Sequence, residues 1–147
     1  ANGELNPEMQ RSLLAVRILL ERETARLAAE HASQSQIEEL RGILADEKAA
    51  SKADATRLTE LDYAFHLKIA VASGNLVYPL VLNSFKNIYT HFTAAFFQKE
   101  ASTAVIDEVI AFHQQLLDTI AAHKTEQAAA MMEAMLVRGE KQLLESK

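Results

Sequence analysis

The chain has 147 residues and a net charge of −5, and 49% of its residues are hydrophobic. This length and composition favour one compact domain and argue against a disordered chain. There is no cysteine, which excludes disulfides and thiolate metal sites. Basic residues are scattered, which disfavours nucleic-acid binding by this chain itself. No apolar run approaches membrane-spanning length and no signal peptide is evident, so we expect no membrane partner and a cytoplasmic protein.

The first predicted helix begins after Asn6, a good N-cap followed by a proline, and runs to about His31. Arg17 and Thr24 fall on the same helical line as its buried leucines, which are Leu13, Leu20 and Leu27. An arginine on a buried face either reaches the surface or a core acid, or it binds an anionic ligand. The residues alone favour these two interpretations about equally.

The second predicted helix is mostly polar. It starts after Ser33 or Ser35, either of which can form a capping box, and it ends near Ala50. Its narrow apolar edge consists of Ile37, Leu40 and Leu44. A polar, alanine-rich connector follows.

The third predicted helix begins near Asp54 or Thr56 and ends before Gly74, which is suited to a left-handed C-cap. Asp62 and His66 lie four residues apart on one face, at the border of the apolar stripe. A carboxylate and an imidazole that point toward a core are costly to desolvate. They therefore need a partner: each other, a metal or a ligand.

Three further helices are predicted, over about residues 76–97, 102–122 and 125–144. On the first of these, Asn83, Asn87 and His91 form a polar line at four-residue steps. Such a line is more often a solvated face than a wall of a binding site. Both interpretations stay open, and Asn83 is retained as a candidate ligand contact.

A single polar layer is predicted across the bundle. His113 precedes the turn near His123 by about as many residues as Met135 follows it, so both lie at a similar height in antiparallel helices. The layer would contain the candidate ligand-binding residues Arg17, Asp62, His66, His113 and Met135.

Asp62, His66 and His113 are candidate metal ligands, and such nitrogen and oxygen donors suit zinc, nickel or a similar divalent ion. A lone histidine on an apolar face is more often a core residue that makes one hydrogen bond. No Ser/His/Asp set, carboxylate pair or phosphate-binding loop supports an enzyme, although the residues alone do not exclude a catalytic metal.

An ordered set of short segments runs along most of the chain: Leu14-Ala15-Val16-Arg17, Leu20-Glu21, Leu27-Ala28-Ala29, Asp62 with Phe65-His66, Ala72-Ser73-Gly74-Asn75 and Phe112-His113. This set resembles the FCD domain, the C-terminal effector domain of the FadR subfamily of GntR transcription regulators. The middle of the chain, with Glu60-Leu61-Asp62-Tyr63 and Leu82-Asn83, is especially similar to the fatty-acid-responsive members.

The resemblance implies an all-α antiparallel bundle of about six helices with a central ligand cavity. It implies that residues 1–147 form one effector-binding domain. In the full regulator a winged helix-turn-helix domain, absent from this chain, would precede it and make the contacts with DNA. A homodimer is expected from the family only.

The resemblance also implies a metal site built from an aspartate, a histidine four residues later and two further histidines. Asp62, His66 and His113 match the first three positions, and the fourth is expected near residue 135. Met135 stands there, and a thioether is a poor ligand for zinc. His91 or His123 could substitute. The fatty-acid-responsive members of the family lack the metal.

The sequence therefore predicts a ligand-sensing, non-enzymatic domain that binds a small organic acid or acyl ligand, with or without a divalent metal. One alternative is a metal-free domain that responds to acyl-CoA or fatty acids. Two alternatives from other classes are a small helical metalloenzyme and a purely structural dimerisation bundle.

Overall fold

A computed structural model of the chain describes residues 6–145, and within that range the secondary structure is entirely helical. Seven helices follow one another: α1 (Pro7–His31), α2 (Gln34–Ala49), α3 (Ala55–Ala72), α4 (Tyr78–Ser84), α5 (Lys86–Lys99), α6 (Ala104–Ala121) and α7 (Thr125–Glu145). None of these helices combines the length and apolarity that crossing a membrane requires. The predicted all-α fold is confirmed.

Local signals in the sequence set the start of the first three helices. The Asn6 side chain accepts hydrogen bonds from two backbone N–H groups at the start of α1. Ser33 and Gln36 form a reciprocal capping box on α2. Asp54 accepts a hydrogen bond from the backbone N–H of Arg57 and so caps α3. Each cap satisfies donors that the helix leaves unpaired.

The fourth predicted helix is divided in two, which corrects the expected six helices to seven. The backbone leaves helical geometry at Phe85, with φ −114° and ψ 24°. Leu82 and Tyr89 lie on opposite sides of this break, yet both pack in one buried cluster with Leu20 and Tyr63. Both helices thus contribute a buried side chain to the same cluster.

The main apolar core lies where α1, α2, α3, α6 and α7 meet. Small alanines of α1 allow close approach, and larger side chains from the other helices fill the centre, including Leu40, Phe65, Ile69, Leu117, Ile120 and Met132. Helices α1 and α7 run antiparallel. Arg22 pairs with Glu133, whereas Arg11, earlier on α1, lies close enough to Glu140, later on α7, to lower its pKa. Met132 is fully buried here, where its flexible side chain fills the core.

A cavity of about 120 Å³ lies beside this core. It is lined by residues of α1, α3, α5, α6 and α7. Most of its lining is apolar, and each of these five helices also supplies at least one polar side chain. The fold thus places buried polar side chains beside a largely apolar cavity.

Candidate functional site

Helices α3 and α6 bring one carboxylate and two imidazoles together in the interior. Oδ1 of Asp62 lies 3.5 Å from Nε2 of His66 and 3.3 Å from Nε2 of His113. Asp62 and His66 are adjacent because four residues make about one helical turn. His113 reaches them from α6 and stacks on the ring of Phe65 at a centroid distance of 4.4 Å. All three residues are buried.

The opposite nitrogen of each imidazole contacts a second carboxylate. Nδ1 of His66 donates to Glu21 Oε1 at 2.5 Å, and Nδ1 of His113 donates to Glu47 at 2.8 and 2.9 Å. Glu21 and Glu47 are each only 1% exposed. These contacts fix the ring orientations and direct both Nε2 atoms toward Asp62. Metal-binding histidines are commonly held by a carboxylate in this way.

Arg17 and Tyr89 complete the polar centre. The hydroxyl of Tyr89 donates to Asp62 Oδ2 at 3.0 Å. Nε of Arg17 donates to Glu21 Oε2 at 2.6 Å, and the guanidinium carbon lies 3.9 Å from the centroid of the Tyr89 ring. Arg17 is therefore held in the interior by an ion pair and a cation–π contact. We call Arg17, Glu21, Glu47, Asp62, His66, Tyr89 and His113 the polar centre.

The polar centre shifts the pKa of its own members. Burial alone would lower the pKa of His113, but the charge of Glu47 and contact with Asp62 raise it to about 10. His66 shows the same balance, with Glu21 and Asp62 raising its pKa against the effect of burial. Burial would raise the pKa of Asp62, yet the two imidazoles hold it well below its usual value.

The charges of the polar centre balance only when both imidazoles are protonated or when a divalent cation is bound. With ionised carboxylates, Glu21, Glu47 and Asp62 contribute −3 and Arg17 contributes +1, which sums to −2 when both imidazoles are neutral. A buried net charge of this size is costly. Two bound protons or one divalent cation would remove it.

The donor set fits a divalent cation. The donor atoms that Asp62, His66 and His113 offer all lie within 4.8 Å of one another. Nε2 of His113 is buried and has no hydrogen-bond partner among residues 6–145. A buried nitrogen that lies 3.3 Å from a carboxylate oxygen without a hydrogen bond of good geometry is suited to a metal ligand. Three protein ligands leave further coordination positions open to water or to an anion.

The structure brings together five of the six candidate ligand-binding residues. Arg17, Asp62, His66, His113 and Met135 all line the cavity. Asn83 does not line it; its side chain is exposed on α4 and accepts a hydrogen bond from the Tyr63 hydroxyl at 3.0 Å.

The two histidines considered as substitute ligands lie elsewhere. His91 is exposed on α5. His123 occupies the turn before α7 with φ 58°, and its Nδ1 donates to the Ala29 carbonyl at 2.9 Å. Of these three candidates for the fourth position, only Met135 lines the cavity, and its side chain is buried.

Sequence reasoning missed three members of the polar centre, although spacing carried a signal for two of them. Glu47 follows Leu44 by three residues and so continues the apolar edge of α2. Glu21 follows Arg17 by four residues, the spacing of a helical ion pair. No such spacing set Tyr89 apart, because it lies four residues after Phe85 and three before Phe92, among apolar side chains.

Comparison with known proteins supports one family for this chain. The model of the FCD domain matches residues 12–138. The chain is 30% identical over 141 residues to the HTH-type transcriptional regulator LutR of Bacillus subtilis (strain 168), covering 92% of this chain and 63% of LutR. It is 34% identical over 84 residues to the Fatty acid metabolism regulator protein of Proteus mirabilis (strain HI4320), covering 57% of this chain and 33% of that protein.

A solved structure gives the same assignment at the level of the fold. E. coli McbR/YncC superposes with a TM-score of 0.79 and 18% sequence identity, covering 95% of this chain and 70% of that chain. This chain thus spans less than two thirds of each of the two sequence relatives. From the family match over most of its length, the chain belongs to the FCD domain family of GntR-type transcription regulators.

Proposed function

We propose that this domain senses a small organic acid, held at the polar centre together with a divalent cation. In the full regulator, binding would alter DNA affinity through an N-terminal winged helix-turn-helix domain. The observation that carries the proposal is a buried cluster of ligating side chains that opens on a largely apolar cavity. The relative LutR is an HTH-type transcriptional regulator, which supports the second domain.

Asp62, His66 and His113 would hold the cation, with zinc or nickel favoured by the donor types. The cation would supply positive charge that attracts a carboxylate. Glu21 and Glu47 keep both Nε2 atoms directed inward through their contacts with Nδ1. Met135 places no strong ligand in the centre, which leaves room for a carboxylate oxygen of the effector.

Arg17 is the second anchor for an anionic group. Within residues 6–145, Glu21 is the hydrogen-bond partner of its guanidinium, and it uses only Nε. The remaining N–H groups of the guanidinium are available to a ligand in the cavity that Arg17 lines. A charge-assisted pair of this kind is stronger than a neutral hydrogen bond.

The size of the cavity favours a small acid over acyl-CoA. Its volume of about 120 Å³ is close to the roughly 150 Å³ of a protein cavity that takes up benzene. A fatty acyl effector bound without metal remains the second candidate. Two observations favour it: the phenylalanine-rich lining of the cavity, and the name of the Fatty acid metabolism regulator protein among the relatives.

A sensing role is preferred over catalysis. Three protein ligands with open positions also occur in catalytic zinc sites, so geometry alone does not separate the two roles. The family match to transcription regulators supports sensing. A regulator of bacterial genes would act in the cytoplasm. Metal-dependent turnover of a substrate by the purified chain would instead support an enzyme.

A second copy of the chain is proposed as the partner of α4. Val77, Leu80 and Val81 lie at helical spacing on one face, next to Leu76, and all four are exposed, Leu76 at 87% and Leu80 at 68%. A cluster of large exposed apolar side chains marks an interaction surface. Leu80→Asp would then shift the chain from dimer to monomer in sedimentation, and an unchanged dimer would contradict this surface.

The acid-binding proposal is tested by thermal unfolding of the zinc-loaded chain with a panel of mono- and dicarboxylic acids. We expect a dose-dependent rise in Tm with at least one acid. Arg17→Met should lose this rise and keep the stabilisation by zinc. Arg26→Met is the matched control, because Arg26 is on the same helix and pairs with Glu23 at the surface. No acid-dependent rise, or an equal rise in Arg17→Met, would contradict the proposal.

A further inference from the structure

The cavity has polar side chains at two separate ends. Gln10, Leu13, Leu14 and Arg17 line it from one face of α1, in the order polar, apolar, apolar, polar. The seven positions from Gln10 to Arg17 span about 10 Å at about 1.5 Å per residue. The cavity therefore extends well beyond the polar centre, to the N-terminal part of α1.

The far end contains two buried acceptors without partners. Gln10 is 5% exposed, and its Oε1 makes no hydrogen bond within the described part of the chain. Oε2 of Glu140, on α7, is buried and lacks a hydrogen bond in the same range. Both residues line the cavity. A buried acceptor without a donor destabilises the folded protein, so this pair calls for an explanation.

The antiparallel packing of α1 and α7 places these two side chains at the same end. Arg11, next to Gln10, is close enough for its charge to act on Glu140. Burial raises the pKa of Glu140, and Arg11 opposes this effect only in part. Neither side chain belongs to the polar centre. An apolar stretch formed by Leu13, Leu14, Phe92, Phe96, Val109 and Leu136 separates the two ends.

We propose that Gln10 and Glu140 form a second polar subsite, which binds a hydroxyl or ammonium group at the end of the effector remote from its carboxylate. This inference rests on the proposed function, in which Arg17 and the metal ligands hold the carboxylate. The effector class is then a short ω-hydroxy or ω-amino acid with an apolar middle. A plain acid would leave both acceptors unpaired, and a site built for a donor discriminates against an analogue that lacks it.

The test compares plain acids from butanoate to octanoate with their ω-hydroxy and ω-amino forms, by calorimetric titration into the zinc-loaded chain. At the best chain length we expect a substituted acid to bind roughly tenfold more tightly than the plain acid. Gln10→Met and Glu140→Met should each reduce this ratio of the two affinities toward one, and both variants should still bind the plain acid. Gln127→Met, an exposed glutamine on α7, is the control and should leave the ratio unchanged.

The same titrations separate this inference from the proposed function. A ratio near one, with binding of the plain acid still lost in Arg17→Met, overturns the second subsite and keeps the proposed function. A large ratio that depends on Gln10, with plain-acid affinity indifferent to Arg17, keeps the subsite and overturns the carboxylate anchor. Absence of binding by every acid overturns both.

A measurement without any ligand provides an independent check. If the Gln10 amide oxygen has no partner, Gln10→Met removes a buried acceptor and should leave Tm unchanged or raise it. A clear fall in Tm would show that the amide is already satisfied within the protein, which overturns the subsite.

Discussion

The apolar core and the polar centre are built on the same helices but affect the stability of the fold in opposite ways. On α3, Phe65 and Ile69 are fully buried among apolar neighbours, whereas Asp62 and His66 are buried among charges. The core gains stability from each side chain it removes from water. The polar centre must offset the desolvation of three carboxylates and a guanidinium. A fold selected only for stability has no reason to keep such a cluster beside a cavity, and for this reason we propose a binding role.

Removal of core volume should produce the largest effect on stability. Leu116 is fully buried in the apolar core of α6, one turn from His113. Leu116→Ala should lower the free energy of unfolding by about 2–5 kcal/mol, because a cavity replaces packed side-chain atoms. Urea unfolding with a chelator present would measure the loss. Zinc affinity of the folded fraction should stay near that of the native chain, and a tenfold fall would show that the two regions are not separable.

A substitution in the polar centre should instead reduce the affinity for zinc. Glu47→Gln keeps the shape of the side chain that orients His113 but removes its charge. We expect zinc affinity to fall by about 10- to 100-fold, the usual cost of losing such a supporting carboxylate. Glu38→Gln, an exposed change on the same helix, is the control. Equal zinc affinity in both variants would mean that Glu47 has no part in orienting a metal ligand.

The smallest effect is expected at Gly139, which lines the cavity in the interior of α7. A Cβ built there meets no atom within 4 Å, so alanine fits without strain. Gly139→Ala should stabilise the chain by about 0.5–1 kcal/mol, since glycine loses more backbone entropy on folding. Thermal unfolding would detect the gain. A loss of stability instead would place the lining closer to Gly139 than the structure has it.

The sequence predicted the apolar half of the molecule more completely than the polar half. Caps at Asn6 and Ser33 and the stripe through Phe65 and Ile69 are local patterns with a fixed period, and the structure follows them. The prediction of a polar layer also placed Arg17 and His113 beside the α3 pair.

The partners of that layer were harder to predict, because they depend on packing between helices distant in sequence. Glu47 reaches His113 across 66 positions, and Glu21 reaches His66 across 45. Tyr89 reaches Asp62 across 27 positions. No local pattern encodes such contacts, and charge balance becomes visible only when all the partners are known.

Zinc titration into the metal-stripped chain, followed by calorimetry, tests the central claim most directly. We expect one zinc per chain, binding lost in His113→Ala, and tighter binding in Met135→His, which would supply an imidazole nitrogen as the fourth ligand beside Asp62, His66 and His113. No zinc binding by the native chain, or equal binding by His113→Ala, would contradict it.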